Sequence, residues 1–363
     1  MTDLCFGFIG LGLIGGSIAK ALKKKNANCK IIAFDRDITA LQAASQDHII
    51  SLACHTLSQD FAECDYIFLC SPVSCNNEYL SMLKKIIKKS CILTDVGSVK
   101  HPIHDEITAL HLNACFIGGH PMAGSEYSGY PASSPSLLEN AYYILTPCKE
   151  VPAKQVAAFS NLIQTLGALP IVVDAKKHDY MVAGISHLPH VIAFSLVNLI
   201  KQSDDREGLM KRIAAGGFKD ITRIASSSPV MWQQIFDLNQ DDIIAFMDSF
   251  IQELNLVKDK ILKKDSDFLY HFIESAGTYR DSFESAGFGP ISRSYSISVF
   301  IPDETGMIAE IATLFAKEQI SIKNIGIVHN RESGDGALRI EFYEQTALDK
   351  ATTLLKNKNY KLY

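Results

Sequence analysis

The chain has 363 residues, 47% hydrophobic and 21% charged, with a formal net charge of −5, which at about 100–200 residues per domain predicts two or three globular domains with ample core. Acidic balance and a pI near 6.1 argue against a nucleic-acid surface. Met1-Thr2-Asp3 leads into an apolar run without the parts of a signal peptide, and no apolar run reaches the roughly 18 residues of a membrane helix, so a cytoplasmic protein with no membrane partner is expected.

Leu4 to Ile9 reads as a buried strand. Gly10-Leu11-Gly12-Leu13-Ile14-Gly15-Gly16 follows at once, and Ser17 to Leu22 continues as a helix. In this order Gly10 permits a tight turn, Gly12 lets backbone approach a pyrophosphate, and Gly15 allows close helix–strand packing. The helix N-terminus then supplies N–H groups and a positive dipole to the phosphates. A second strand, Lys30 to Phe34, ends in Asp35, whose carboxylate suits an adenosine ribose and repels a 2′-phosphate. NAD is therefore the expected cofactor, with Arg36 the one residue that would favour NADP.

Further strands are predicted at Tyr66–Cys70, Cys91–Thr94, Phe116–Ile117, Tyr142–Leu145 and Ile171–Val173, with segments of helix length between several of them, such as 78–89. Such alternation predicts a doubly wound, mainly parallel Rossmann-type sheet over 1–174. Ligands of such sheets bind at the carboxyl ends of strands. Cys70-Ser71-Pro72, Asp95-Val96-Gly97-Ser98 and the loop Gly119-His120-Pro121 each follow a strand end, so they should line one crevice. The nine cysteines all lie between Cys5 and Cys148 with no CxxC pair; they read as reduced, buried thiols rather than zinc ligands or a disulfide framework.

Residues 175–287 contain no convincing strand. Val191–Lys201 and Asp241–Lys264 read as helices, and the apolar stretch from Ala183 to Ile200 needs burial, so an all-helical homodimerisation domain is expected. Ser285 to Pro290 reads as a linker. Over 294–363 the order is strand (Ser294–Ile301), turn (Pro302–Gly306), helix (Met307–Glu318), strands (Ile320–Val328 and Ala337–Phe342), helix (Ala347–Lys356) and a short strand (Tyr360–Tyr363). This βαββαβ order predicts a ferredoxin-like module.

His120 is the leading catalytic candidate: hydride leaves a carbinol carbon only as its hydroxyl loses a proton, and a neutral imidazole can take it. Ser98 ends another strand of the same predicted sheet. Lys219 and Arg223 are four apart, on one helical face if the segment is helical, between Gly216-Gly217 and Ser226–Pro229. Arg binds carboxylates through paired bonds, which makes Arg223 the better anchor. His187 and His190 flank Pro189, but a third ligand is not evident, so no metal is expected and His187 is read as a substrate-contacting donor.

These motifs resemble the prephenate dehydrogenase family. The likeness rests on Gly10–Gly16 with Asp35, Asp95–Lys100, Gly119-His120-Pro121-Met122-Ala123-Gly124-Ser125-Glu126, Ser186–His190 and Gly217–Ala225, all in order over residues 1 to about 285. Met231-Trp232 fits too, whereas the residues after Glu126 depart from the basic residue expected in many relatives. The last 70 residues resemble an ACT domain, a module that often binds amino acids. The resemblance implies NAD-dependent oxidative decarboxylation of prephenate to 4-hydroxyphenylpyruvate in tyrosine biosynthesis, with L-tyrosine as effector. It implies that His120 accepts the ring hydroxyl proton, Ser98 orients that pair, Arg223 binds a carboxylate with Lys219 nearby, His187 contacts substrate and Glu126 sits at the entrance. Gly10, Gly12, Leu13, Ile14, Gly15, Asp35, Ser71 and Pro72 would hold NAD. Arogenate dehydrogenase is the near alternative. A 3-hydroxyacid-type dehydrogenase would use a helix lysine in place of His120, and a non-enzymatic sensor would be expected to lack His120 or Arg223.

Overall fold

The computed structural model describes residues 4–72, 75–125, 127–285, 295–302, 304–329 and 336–362. Glu126, Asp303, most of the expected linker and residues 330–335 lie outside the described residues. The chain divides into two compact units, 1–269 and 270–363.

The first unit opens with β1 (Cys5–Ile9), α1 (Leu13–Lys25), β2 (Lys30–Phe34), α2 (Ile38–Gln46), β3 (Leu52–Cys54), β4 (Tyr66–Leu69), α3 (Asn76–Leu83), β5 (Ile92–Asp95) and α4 (His101–Ala109). Five strands pair in parallel in the order β3-β2-β1-β4-β5. Their runs are apolar because helices cover both faces, and Phe6, Phe8, Ile32, Ile67, Phe68 and Leu93 are buried between the layers. The short β3 has no sequence forecast: its three residues are too few to show a periodicity.

A second sheet contains β6 (Ile117–Pro121), β7 (Tyr142–Pro147) and β8 (Leu169–Val172), with α5 (Ala153–Thr165) before the last. Here β6 is antiparallel to β7, and β7 is parallel to β8. A parallel bridge between Leu93 and Phe116 joins β5 to the approach of β6. His120 is therefore on a strand and not in the predicted loop. Gly118 and Gly119 read as loop residues, yet they are where β6 packs closest: a Cβ on Gly119 would lie 2.6 Å from the Asp95 carbonyl and 2.9 Å from the Tyr143 ring.

Helices follow: α6 (Ala175–Val182), a π-turn (Ala183–His187), α7 (Leu188–Ser203), α8 (Leu209–Ile213), α9 (Gly216–Thr222), a 3₁₀ turn (Arg223–Ser226), α10 (Pro229–Leu238), α11 (Gln240–Leu262) and α12 (Ser266–Ser285). Asp174 caps α6 by accepting from the Lys176 and Lys177 amides. Through the π-turn, 175–203 becomes one helical run that by length and composition could cross a membrane, with 22% of its most apolar stretch buried. The sequence predicts no such run, because the polar residues 176–179 and the segment His187-Leu188-Pro189-His190 interrupt its hydropathy. In the fold those interruptions, His178, Asp179 and His187, are themselves buried. Apolar side chains on these helices face outward, among them Ile185, Leu199, Ile221, Val230, Ile251, Leu254 and Leu262.

The second unit begins within α12, at Tyr270, and continues with β9 (Tyr295–Ile301), α13 (Met307–Lys317), β10 (Ile322–His329), β11 (Gly336–Phe342) and α14 (Gln345–Asn357). The sheet order is β10-β11-β9, all antiparallel, and the predicted last strand is a single bridge from Leu362 to Val299. That is ferredoxin-like. Ile297, Val299 and Ile301 alternate inward against Ile311 and Phe315 of α13.

Candidate active site

The turn after β1 is shaped for a dinucleotide. Gly10 has φ +101°, and a Cβ there would meet the Cys70 backbone at 2.8 Å. A Cβ on Gly15 would overlap the Gly10 carbonyl oxygen, whereas one on Gly12 would meet nothing within 4 Å. Gly12 thus faces open space at the head of α1, where no side chain caps the first-turn amides. Those amides are available to an anion. Leu13 and Ile14 open the helix, and Ser71 and Pro72 follow β4 beside Gly10. The Asp35 carboxylate accepts from the Leu11 amide at 2.6 Å and the Asp37 amide at 2.8 Å. Arg36 is drawn aside, paired with Glu78 at 3.4 Å and lying over the Tyr79 ring. The residues present fit an adenosine dinucleotide whose ribose meets a carboxylate.

Along the same sheet edge, β5 ends in Asp95, which is buried with Lys100. The Lys100 ammonium pairs with the Asp95 carboxylate and also donates to the Gly119 carbonyl at 2.7 Å. Asp95 accepts in addition from the Gly97 and Gly119 amides, at 2.9 and 3.1 Å. The pair therefore pins the loop after β5 to the backbone beside His120. Burial pulls the Lys100 pKa below its ordinary value, and the Asp95 charge opposes that pull.

His120 is 8% exposed, and its Nδ1 lies 2.8 Å from Nε2 of His178. His178 in turn places Nδ1 2.7 Å from the Asp179 carboxylate. Burial first, then His178, Lys100 and His187, hold the His120 imidazole well below its ordinary pKa. It is a neutral base at neutral pH. Ser98 is half-buried in the loop after β5; among the described residues its hydroxyl makes no hydrogen bond to His120, whose Nδ1 is engaged by His178.

His187 is buried and its Nδ1 sits 3.1 Å from the Asn239 amide nitrogen, which also donates to the Asp179 carbonyl at 3.0 Å. An amide N–H can only donate, so the His187 proton resides on Nε2 and that nitrogen is a donor. Burial, reinforced by His178 and His190 against the pull of Asp179, lowers its pKa to about 4. His190 stacks on Trp232 with centroids 3.8 Å apart, and Trp232 Nε1 is buried without a hydrogen-bond partner among the described residues. Arg223, exposed at the end of α9, is near enough for its charge to lower the His190 pKa, after the larger effect of burial. Lys219 is exposed one turn earlier on α9. Glu126 lies outside the described residues, and among the described residues no cluster could hold a metal.

His178, Asp179 and Asn239 have no sequence forecast. Lys176-Lys177-His178-Asp179 looks like a solvated face. The available signal is that His178, Asp179, Val182 and Ala183 recur at helical spacing, and all four are buried.

A dinucleotide cradle after β1 and a buried neutral imidazole on β6, whose approach bridges to β5, place the chain among the NAD-dependent dehydrogenases. Residues 18–172 match the model of the prephenate dehydrogenase nucleotide-binding domain, and 174–275 that of its dimerization domain. The chain is 38% identical to prephenate dehydrogenase of Bacillus subtilis over 338 residues, 92% of this chain and 90% of that one. It is 35% identical to the Lactococcus lactis enzyme of the same name, over 96% of each chain. Among solved structures, prephenate dehydrogenase of A. aeolicus in complex with hydroxyphenyl propionate and NAD+ superposes with a TM-score of 0.73 at 31% identity, covering 78% of this chain and 99% of that one. The chain belongs to the prephenate dehydrogenase family.

Removing the cation of the buried pair by Lys100→Met leaves the Asp95 charge without its partner. Chemical denaturation should show a stability loss of about 3–5 kcal/mol, the usual cost of breaking a buried ion pair. A loss within about 0.5 kcal/mol, the scatter of neutral surface changes, would mean that the Gly97 and Gly119 amides alone hold the carboxylate.

Proposed function

We infer that the chain oxidatively decarboxylates prephenate to 4-hydroxyphenylpyruvate, a step of tyrosine biosynthesis. The observation that carries this reading is His120: a buried neutral imidazole near the carboxyl end of β6, next to Gly119, which packs on Asp95 at the end of β5, with Nδ1 engaged and Nε2 left to meet a substrate. Bound NAD+ supplies the hydride acceptor. Gly10, Gly12, Leu13, Ile14 and Gly15 cradle its phosphates, Asp35 meets its ribose, and Ser71 and Pro72 line its path along the sheet edge.

His120 takes the 4-hydroxyl proton as hydride leaves C4, and Ser98 helps to orient the hydroxyl. The resulting ring ketone is a vinylogous β-keto acid, so loss of CO2 places an electron pair on the ring oxygen and restores aromaticity. The phenolate then recovers the proton from His120. A dianion that loses hydride and CO2 leaves a monoanion, so no net proton is released and His120 serves as base and then acid. The ring carboxylate leaves as neutral CO2, and tight pairing with a cation would hold it back. Arg223, supported by Lys219, therefore binds the pyruvyl carboxylate, His187 donates to the substrate from Nε2, and Glu126 stands at the entrance. In this reading 1–174 binds cofactor, 175–287 binds substrate and packs its exposed apolar helix faces on a second copy, and 294–363 is an ACT module for L-tyrosine.

His120→Asn should lower kcat by about 10²–10⁴, the usual worth of a positioned base, with NAD+ affinity nearly intact; retained turnover would remove His120 from the chemistry. Assay of prephenate beside arogenate, in which an ammonium replaces the ketone, tests the substrate directly, and preference for arogenate would overturn the assignment.

A carboxylate anchor is present in both ground and transition states, so Arg223→Ala should raise KM for prephenate far more than it lowers kcat. The opposite split would place the guanidinium at the reacting end.

L-Tyrosine should weaken catalysis by about 5- to 150-fold at saturation, the range of common couplings. Truncation after Gly289 should leave activity but abolish this response. Inhibition surviving the truncation would locate tyrosine in the catalytic crevice.

A further inference from the structure

His178 and Asp179 are buried and lie on α6 outside the dinucleotide cradle; their side chains meet His120 and the backbone that opens α4, and the Asp179 carbonyl accepts from Asn239. We propose that the buried chain Asp179–His178–His120 sets the tautomer of His120, making Nε2 an acceptor, and holds the substrate's proton between hydride loss and departure of CO2. The proposal rests on the reading of His120 as the base.

The argument begins at Asp179. Its two oxygens accept from the Lys100 amide at 2.7 Å and the His101 amide at 2.6 Å, at the N-terminus of α4. A carboxylate so placed is stabilised by backbone donors and by the helix dipole, without needing a protonated partner. The same Oδ1 lies 2.7 Å from His178 Nδ1, so that nitrogen carries the hydrogen. In the proposed chain His178 carries this hydrogen alone and presents a lone pair at Nε2. Across 2.8 Å, His120 Nδ1 must be the donor. With its hydrogen on Nδ1, the neutral His120 ring has its lone pair at Nε2, the form a base requires.

When His120 Nε2 accepts the hydroxyl proton, the Nδ1 hydrogen can move to His178 Nε2. His178 then carries the positive charge, neutralised by the Asp179 carboxylate beside it, and His120 again becomes a neutral ring with its hydrogen on Nε2. Reversal of both transfers returns one proton to the phenolate oxygen. One O–H bond breaks and one forms, and no oxidant or other reactant is needed. His178 and Asp179 touch neither substrate nor cofactor in this scheme, so both are positioning residues.

The test combines spectroscopy with kinetics on the full-length protein. In ¹⁵N-histidine-labelled protein, long-range ¹⁵N–¹H correlations, assigned by loss of the signal in His120→Asn, should report His120 with its hydrogen on Nδ1. Finding it on Nε2 in the wild-type protein overturns the proposal. His178→Leu removes the acceptor and should move that hydrogen to Nε2, lowering kcat at least 10-fold with KM for prephenate and NAD+ little changed. His178→Gln can place an amide oxygen near the Nε2 position and should recover much of the loss. Equal losses in His178→Leu and His178→Gln, with both variants shown to be folded by near-UV circular dichroism, would reduce His178 to packing and overturn the proposal. The double variant His120→Asn/His178→Leu should be no slower than His120→Asn alone. An active His120→Asn protein would instead defeat the underlying reading of the base, a result distinct from any outcome at His178.

Discussion

The Asp179 carboxylate is the constraint on which the site depends. It accepts the first amides of α4 on one side and the His178 ring on the other, all in buried surroundings. One end of the interaction belongs to the loop that leaves β5, the other to the first helix after the sheets. The sheet edge, the start of α4 and α6 are thereby held in one arrangement. An ordinary surface ion pair contributes little to such fixing, but a buried carboxylate that lost its donors would bear a large desolvation cost. The site inherits its geometry from that penalty.

Next to it, the Lys100–Asp95 pair performs a related task with opposite polarity. It brings a cation close to Gly119 and His120 and disfavours a second positive charge there. An imidazole that stays neutral can accept a proton when the reaction demands it. The absence of side chains at Gly118 and Gly119 is part of the same design, because a Cβ at Gly119 would push β6 away from β5 and carry His120 with it.

Much of this was legible in the sequence where local rules and tertiary structure agree. The strand, glycine turn, helix and acid of the cofactor cradle are contiguous and each has its own physical signature. The ferredoxin-like order of the last segment was readable for the same reason, since its strands alternate and its helices keep a 3.6-residue period. Two features were not readable locally. His120 looked like a loop residue because Gly118, Gly119 and Pro121 are turn formers, yet pairing with β7 overrode that preference. His178 and Asp179 looked solvated because two lysines precede them, and only the approach of α4 supplies the partners that make their burial tolerable. Arg223 and Lys219 show a third case: their spacing was clear, whereas α9 ends between them and the role of each charge depends on what it meets.

The central claim is that the fold delivers a neutral imidazole base at His120, and the pH dependence of kcat/KM for prephenate tests it most directly, because that ratio reports groups of the free enzyme. Burial and neighbouring charge lower the His120 pKa, so the basic form persists into acid and is lost only as pH falls through the lowered value. The account predicts an acid limb well below the ordinary imidazole value of about 6.5, and absent from the residual activity of His120→Asn. A limb at or above neutrality, or one that survives that substitution unchanged, would contradict it.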